Sequence, residues 1–232
     1  MHTVLLHGAS GTARSWQPVL NVLSAHAVHA TALDLPGRGA SPGPPCTSVA
    51  SLAQWLLARL EGPTVLVGHS LGGAVALTAA LASRQVAGLV LVSSSARLKV
   101  SPLILEAVRQ HRPEAPFRLD LGFGPHTDPA IVDAYVESTR DLSRATALAD
   151  WQACDGFDIR ADLVPLRIPT VVLYGDADVL TPPRHQVSLA AALGATTRCL
   201  PGIGHQLPWE TPMSLVDVIR SVHPAASDAF AG

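Results

Sequence analysis

Short apolar runs alternate along this chain with longer segments whose apolar residues recur every three or four positions. The runs are typical of strands and the longer segments of helices. The predicted strands are Thr3–Leu6, Val28–Leu33, Thr64–Val67, Val86–Val92, Thr170–Tyr174 and Thr196–Leu200. Helices with the same pattern are predicted at about residues 13–25, 52–60, 71–83, 183–193 and 211–222. Such alternation predicts a parallel sheet with right-handed crossovers and helices on both faces.

The alternation stops in the middle of the chain and resumes near residue 168. The intervening residues show no strand pattern, are richer in charged residues, and carry five of the ten aromatic side chains. Helical patterns within them cover about residues 102–112, 129–139 and 143–154. We therefore predict a helical insertion over the sheet. The predicted domains are a core of residues 1–96 and 168–222, a helical cap of residues 97–167 and a flexible tail of residues 223–232.

Composition excludes several classes of protein. Of the 232 residues, 48% are apolar and 15% are charged, which excludes a disordered chain. The formal net charge of −2 argues against a nucleic-acid partner. No apolar run approaches the ~18 residues that a membrane span requires. The first residues lack the pattern of a signal peptide, so we expect a cytoplasmic protein without a membrane association.

The spacing of cysteine and histidine indicates neither a disulfide framework nor a metal site. Cys46, Cys154 and Cys199 are far apart and form no CxxC pair, so free thiols in a reducing compartment are expected. The ten histidines include no HExxH motif, and His26 and His29 have no carboxylate beside them. We expect the protein to use neither a metal ion nor an organic cofactor.

The strongest chemical signal is the segment Gly68–Gly73, which reads Gly-His-Ser-Leu-Gly-Gly. It follows the third predicted strand directly and opens the next helix, which is the context of a nucleophile elbow. Ser70 would stand in a sharp turn with its hydroxyl above the sheet. The flanking positions must be glycine because a Cβ there would strike the neighbouring strand and helix. We predict Ser70 as a nucleophile and a packing role for His69.

A serine hydroxyl needs a general base, and the base needs an acid that orients it. Asp176 and Asp178 follow the fifth predicted strand, and His205 follows the sixth in a glycine-rich loop. These positions lie at the carboxyl ends of strands, where parallel sheets bind ligands. We predict His205 as the base, one aspartate as the acid and the other as a turn residue. Glu210 is expected to fix the His205 loop through backbone N–H groups.

The order of serine, aspartate and histidine along the chain resembles that of the α/β-hydrolase superfamily. The segments that carry the resemblance are His7-Gly8, Asp34-Leu35-Pro36-Gly37-Arg38-Gly39-Ala40-Ser41, Gly68–Gly73, and the late Gly175-x-x-Asp178 and Gly204-His205. In that superfamily the acid stands three residues after the glycine, which implies Asp178 rather than Asp176. The resemblance covers about residues 2–220 apart from the cap. It points to small cofactor-free esterases and carbon–carbon bond hydrolases with a helical cap.

The resemblance also implies the groups around the nucleophile. The backbone N–H groups of Ala9 and Leu71 would form an oxyanion hole. His7 would tie its loop to its neighbours, and Asp34 would shape a turn. The expected pocket residues are Trp16, Phe117, Phe123, Tyr135 and Trp151. The arginines that could meet a substrate carboxylate, although solvated helix faces are the simpler interpretation, are Arg109, Arg112, Arg118, Arg140 and Arg144.

The resemblance implies a departure at the sheet edge. Similar proteins carry a two-stranded hairpin before the strand that ends in His-Gly, whereas this chain begins at that strand. We therefore expect an α/β fold with a doubly wound, mostly parallel sheet of about six strands. The less covered edge of this sheet could pair with another molecule. The sequence therefore allows either a monomer or a homodimer.

These features together predict a serine hydrolase, a carboxylesterase that cleaves esters of small molecules through an acyl-enzyme on Ser70. The alternative is hydrolysis of a carbon–carbon bond in a diketone-type substrate, or a related lyase reaction. A third interpretation is a ligand-binding protein built on the hydrolase fold.

Overall fold

The computed structural model of the chain describes residues 1–110 and 119–223. Within them, six strands form one sheet in the spatial order β2-β1-β3-β4-β5-β6. The strands are β1 (His2–Leu6), β2 (Ala30–Leu33), β3 (Thr64–His69), β4 (Val86–Val92), β5 (Thr170–Gly175) and β6 (Thr196–Leu200). The predicted six-stranded α/β sheet is confirmed, and all its strand pairs are parallel rather than most of them.

The helices lie close to their predicted positions. They are α1 (Gln17–Ala25), α2 (Val49–Leu57), α3 (Leu71–Ala82), α4 (Pro102–Gln110), α5 (Pro129–Ser138), α6 (Arg144–Asp155), α7 (Pro183–Leu193), α8 (Leu207–Glu210) and α9 (Pro212–Ser221). Short 3-10 helices cover Ala13–Trp16 and Asp120–Gly122. The break between α8 and α9 falls at Thr211, whose φ of −151° is extended. The following proline disfavours a helical conformation at that residue.

The second strand begins later than its apolar pattern predicts. Ala27 has a φ of +55°, and its N–H donates to the carbonyl of Ser24. The N–H of Val28 donates to the carbonyl of Leu23 at 3.2 Å. These two bonds form a Schellman motif, which satisfies the last carbonyls of α1. Val28 therefore belongs to the end of a helix, and β2 begins at Ala30.

Each face of the sheet is covered by its own apolar layer, because side chains alternate along a strand. Leu66 of β3 packs in the layer that contains residues of α2, α3 and α7. Val65 and Val67 pack in the opposite layer, which contains residues of α1 and α9. Helices on both faces explain why the central strands are apolar throughout.

In its described part, the chain between β4 and β5 contains three α-helices, one 3-10 helix and no strand. Arg97 and Asp158 form an antiparallel bridge across the two ends of this segment. Ala153 and Cys154 of α6 pack in the apolar layer of α3. The helices α4, α5 and α6 thus occupy the segment predicted as a cap, and its domain bounds stay a prediction.

The first turn of α3 lies unusually close to β1. A Cβ added at Gly72 would lie 2.2 Å from the carbonyl oxygen of Leu6 and 2.7 Å from that of His7. A Cβ added at Gly68 would lie 2.2 Å from the carbonyl oxygen of Gly72. These neighbours are backbone atoms, which cannot rotate away. Glycine at both positions is therefore required for the helix to approach the sheet.

Two buried histidines join loops at the carboxyl ends of β1 and β3. His7 donates from Nδ1 to the carbonyl of Gly8 at 2.8 Å and accepts from the N–H of Leu35 at 3.1 Å. His69 donates from Nε2 to the carbonyl of His205 at 2.9 Å. Burial, aided by nearby positive groups, holds the pKa of His7 well below its usual value. Burial lowers the pKa of His69 to about 3. Both rings are therefore neutral at pH 7.

Substitution of Gly72 by alanine should disrupt the packing of α3 on β1. Because the new methyl group meets carbonyl oxygens, we expect a loss of at least about 1–3 kcal/mol in the free energy of unfolding. Thermal denaturation followed by circular dichroism measures it. Gly62→Ala is the matched control, since a Cβ there has no atom within 4 Å. An equal melting temperature for both variants would contradict the close approach.

The neutral histidines predict a loss of stability in mild acid. The unfolded chain takes up protons below its histidine pKa of about 6.5, whereas His7 and His69 stay neutral in the folded protein. Stability present above that pH should therefore fall between pH 6.5 and pH 5, with a limiting slope of about 1.4 kcal/mol per pH unit for each histidine. Urea denaturation across this range measures the slope. His69→Asn should remove about half of this two-histidine contribution, and an unchanged slope would sink the assignment.

Candidate active site

Ser70 occupies the junction between β3 and α3 in a strained backbone conformation. Its φ of +52° and ψ of −114° lie in a region that non-glycine residues rarely adopt. Its N–H donates to the carbonyl of Val92 at 2.9 Å, and its carbonyl accepts from the Ser94 hydroxyl at 2.8 Å. The half-buried side chain lines two cavities. Local packing therefore holds the serine in a turn that presents it to open space.

Asp178 and His205 meet although 27 residues separate them. Nδ1 of His205 lies 3.0 Å from Oδ2 and 3.1 Å from Oδ1 of the carboxylate. Thr181 donates to the same carboxylate from its N–H at 2.8 Å and from its hydroxyl at 2.7 Å. Burial alone would raise the pKa of Asp178, but His205 and the donors of Thr181 outweigh it and lower the pKa. The carboxylate is thus ionised and fixed.

His205 is held from both sides of its backbone. Its N–H donates to the carbonyl of Gly122 at 2.7 Å, and its carbonyl accepts from His69. Glu210 accepts hydrogen bonds from the N–H groups of Gly204 and Gln206, each at 3.1 Å. The predicted role of Glu210 in this loop is confirmed. The ring of His205 lines the same two cavities as Ser70.

The two candidate aspartates have different positions. Asp176 is exposed, and its Oδ1 accepts from the N–H of Gly202 at 2.7 Å. It joins the loops that follow β5 and β6. The structure brings Asp178, and not Asp176, to His205. This placement agrees with the choice of Asp178 that the resemblance implied, and its catalytic role stays a prediction.

Two backbone N–H groups near Ser70 in the structure have no acceptor among the described residues. Within residues 1–110 and 119–223, the N–H groups of Ala9 and Leu71 donate no hydrogen bond. Leu71 is the first residue of α3, where a helix leaves its N–H groups unpaired and carries a partial positive charge. Ala9 lines the smaller cavity beside Ser70. Both groups could stabilise a negative oxygen there.

A buried ion pair fixes the loop that carries Ala9. The guanidinium of Arg38 donates to both oxygens of Asp150 at 2.8 and 2.5 Å, and these side chains are only 3% and 2% exposed. Asp150 of α6 also accepts from the N–H of Ser10 at 2.9 Å. Ser10 has a φ of +58°. Burial raises the pKa of Asp150 although Arg38 opposes the shift. The pair joins the loops after β1 and β2 to α6, and no sequence signal identified it.

The predicted pocket residues separate into two groups. Tyr135 lines the smaller cavity and Trp151 lines both, where its indole N–H donates to the Ser10 hydroxyl at 2.8 Å. Burial raises the pKa of Tyr135 to about 12, so its hydroxyl stays protonated. Phe123 packs edge-on against Tyr135 and lines neither cavity. Trp16 is fully buried in the layer of α1 and α9.

The spacing of Trp16 contained a signal for the core. Together with Val19 and Leu23 it forms a stripe at helical intervals, and all three are buried in one layer. The sequence did not indicate the cavity residues Leu142, Leu180 and Gln206, which come from separate loops and segments.

Of the three described arginines that were proposed for a substrate carboxylate, one lines a cavity and two lie elsewhere. Arg140 lines the smaller cavity and is paired with Glu137. Arg109 is exposed and paired with Glu106, and Arg144 is exposed on α6. The remaining predicted residues, Phe117, Arg112 and Arg118, lie outside the described residues.

Two features are absent from the part of the chain that the structure describes. It contains no group of three or more histidine, cysteine, aspartate or glutamate side chains arranged to hold a metal ion. None of its helices is long and apolar enough to cross a membrane.

Known proteins share this arrangement of strands and loops. A curated relative, the pimeloyl–acyl-carrier-protein methyl ester esterase of Edwardsiella ictaluri, is 32% identical over 222 residues, which cover 87% of this chain and 85% of the relative. The biotin biosynthesis bifunctional protein BioHC of Cellvibrio japonicus is 26% identical over 97% of this chain. This chain covers only 48% of that protein, about half its length.

Solved structures and family profiles agree with these relatives. A thermophilic esterase superposes with a TM-score of 0.81 at 27% identity, covering 94% of this chain and 88% of the other. The profile of the alpha/beta hydrolase family matches residues 3–218. Since that match includes every strand except the first residue of β1, and the sheet order agrees with it, the chain belongs to the alpha/beta hydrolase family.

Proposed function

We propose that the protein is a serine esterase that hydrolyses carboxylic esters of small molecules. The observation that carries this proposal is the contact between His205 and Asp178 at cavities that Ser70 also lines. A strained serine, a histidine and a buried carboxylate are the parts that nucleophilic ester hydrolysis requires. The esterase relatives support the same reaction class.

In the proposed mechanism the Ser70 hydroxyl attacks the ester carbonyl carbon. His205 takes the hydroxyl proton at Nε2, while Asp178 holds Nδ1 and stabilises the positive ring. The carbonyl oxygen becomes an oxyanion that accepts from the N–H groups of Ala9 and Leu71. Each such donor contributes about 3–4 kcal/mol to the transition state in other enzymes.

The tetrahedral intermediate then collapses. The carbon–oxygen bond to the alcohol breaks, and the alcohol leaves with the proton from His205. Water attacks the acyl-enzyme on Ser70 after giving a proton to the same nitrogen. Collapse of the second intermediate returns that proton to Ser70 and releases the carboxylic acid. Apart from the ester and water, these steps use side chains and backbone groups of this chain.

In this proposal the helices α4, α5 and α6 help to form the substrate pocket. Helix α4 contributes Ile104, α5 contributes Tyr135, and α6 contributes Trp151 to the walls of the cavities that Ser70 lines. We therefore propose that residues 97–167 act as a cap that shapes the substrate pocket. The relative from Edwardsiella ictaluri is named for a methyl ester substrate, and we carry over ester hydrolysis as the reaction class.

Replacement of Ser70 by alanine should abolish ester hydrolysis. Because no other group can form the acyl-enzyme, we expect kcat for a short-chain p-nitrophenyl ester to fall by about 10⁴–10⁶. Stopped-flow release of p-nitrophenol measures both the burst and the steady state. Ser221→Ala, at an exposed position of α9, is the control. Turnover at the wild-type rate by Ser70→Ala would exclude this nucleophile. Activity on diketones but not on esters would favour carbon–carbon bond hydrolysis.

The two aspartates provide a matched test of the acid. Asp178→Asn removes the negative charge beside His205, and we expect kcat to fall by about 10⁴. Asp176→Asn alters an exposed loop contact and should cost less than tenfold. Steady-state kinetics on one ester compares the two variants. The reverse ranking would transfer the catalytic role to Asp176.

A further inference from the structure

The larger cavity beside Ser70 has a cationic rim. Its volume is about 700 Å³, which is within the range of small-molecule binding sites. The cationic side chains in its wall are Arg97, Lys99, Arg160 and Arg184. They are four of the sixteen lysines and arginines in a chain whose net charge is −2. The described residues that line this cavity include no aspartate or glutamate.

The positive charge at this rim is only partly neutralised by neighbours. Lys99 pairs with Asp155 at 2.7 Å. Arg97 and Arg160 share a single carboxylate, that of Asp158, at 3.7 and 2.7 Å. Among the residues that the structure describes, four cations therefore face two carboxylates, which leaves an excess of two positive charges. Their side chains are largely exposed, so their effect on a ligand should depend on salt.

Arg184 is the cation that lacks a partner. In the described part of the chain its guanidinium makes no ion pair and no hydrogen bond. It is the second residue of α7, next to His185 in the cavity wall. The pKa of His185 is lowered by burial and then by Arg184, Arg160 and Arg97. Three guanidinium groups therefore act on one point of the rim.

The same cavity has an apolar wall and is also lined by Ser70 and His205. The apolar side chains of that wall are Leu98, Val100, Ile104, Leu163 and Leu189. A ligand with its ester at Ser70 would lay a hydrocarbon chain on this wall. The far end of that chain would reach the cations.

We propose that the larger cavity binds esters whose apolar chain ends in an anionic group, a carboxylate or a phosphate, held by Arg184 with Arg160, Arg97 and Lys99. This inference rests on the proposed esterase function and names its substrate class. Of the arginines singled out from the sequence, the three described ones, Arg109, Arg140 and Arg144, do not line this cavity. Arg97, Arg160 and Arg184 come from three separate segments, so no local pattern marks them.

Hydrolysis of a matched ester pair tests the proposal. Monomethyl octanedioate has a free carboxylate at the far end of its chain, and dimethyl octanedioate has a neutral ester there. The quantity measured is the ratio of kcat/KM for the first to that for the second. We expect a ratio of about ten or more at low ionic strength, decreasing in 0.5 M NaCl because salt screens exposed charges. A third ester of the same chain ending in phosphate compares the two anions.

Charge variants then identify the residues. Arg184→Gln should lower the ratio about fivefold to tenfold, and Arg160→Gln combined with it should lower it further. Arg198→Gln is the matched control, since Arg198 is exposed on β6 and lines neither cavity. A wild-type ratio of one or less would overturn the proposal. So would an equal ratio for Arg184→Gln and Arg198→Gln.

Binding to the inactive Ser70→Ala variant separates this proposal from the esterase function. Calorimetry should find tighter binding of the monomethyl ester than of the dimethyl ester, and Arg184→Gln should remove that difference. If neither ester is hydrolysed while this preference persists, the proposed reaction fails and the anion site stands. If both are hydrolysed at equal kcat/KM and no preference exists, the anion site fails and the reaction stands.

Discussion

The close approach of α3 to β1 is the constraint on which the rest of the structure depends. A Cβ added at Gly68 or Gly72 would lie only 2.2 Å from a backbone oxygen of the neighbouring segment. The two segments can therefore meet there only if both positions lack a side chain. This contact compresses the link between β3 and α3 into one residue. Ser70 must therefore accept a backbone conformation that few residues tolerate. The same contact brings the loop after β1, and with it Ala9, beside the serine.

A serine in a strained turn can be positioned for reaction only if the loops around it are also held in place. Asp150 provides that rigidity from the far side, since it accepts from the Ser10 N–H and is neutralised by Arg38 in the protein interior. An ion pair so deeply buried gains little net stability, because desolvation opposes the attraction between its charges. Its effect is positional, and it couples α6 to the loop that would hold an oxyanion. A fixed loop needs no reorganisation during reaction, which is the basis of electrostatic catalysis.

Charge is distributed unevenly across the molecule, and the charge of each region has a different physical cause. In the interior, burial keeps His7 and His69 neutral. These two histidines therefore contribute hydrogen bonds but no positive charge near the site. Asp178 remains ionised because donors and His205 surround it. At the mouth of the larger cavity, cations exceed carboxylates while the whole chain is slightly negative. Such an arrangement favours an anionic ligand at one entrance without making the surface generally basic.

The amino-acid sequence by itself determined the strands, the helices and the turn at Ser70, because hydrophobic periodicity and glycine spacing are properties of neighbouring residues. It also indicated Asp178 and His205 as residues at strand ends. Only the tertiary structure decided which side chains meet across the chain. Arg38 and Asp150 are 112 residues apart, and the rim cations come from separate segments. Those outcomes depend on how helices pack and where side chains point, which no local pattern encodes.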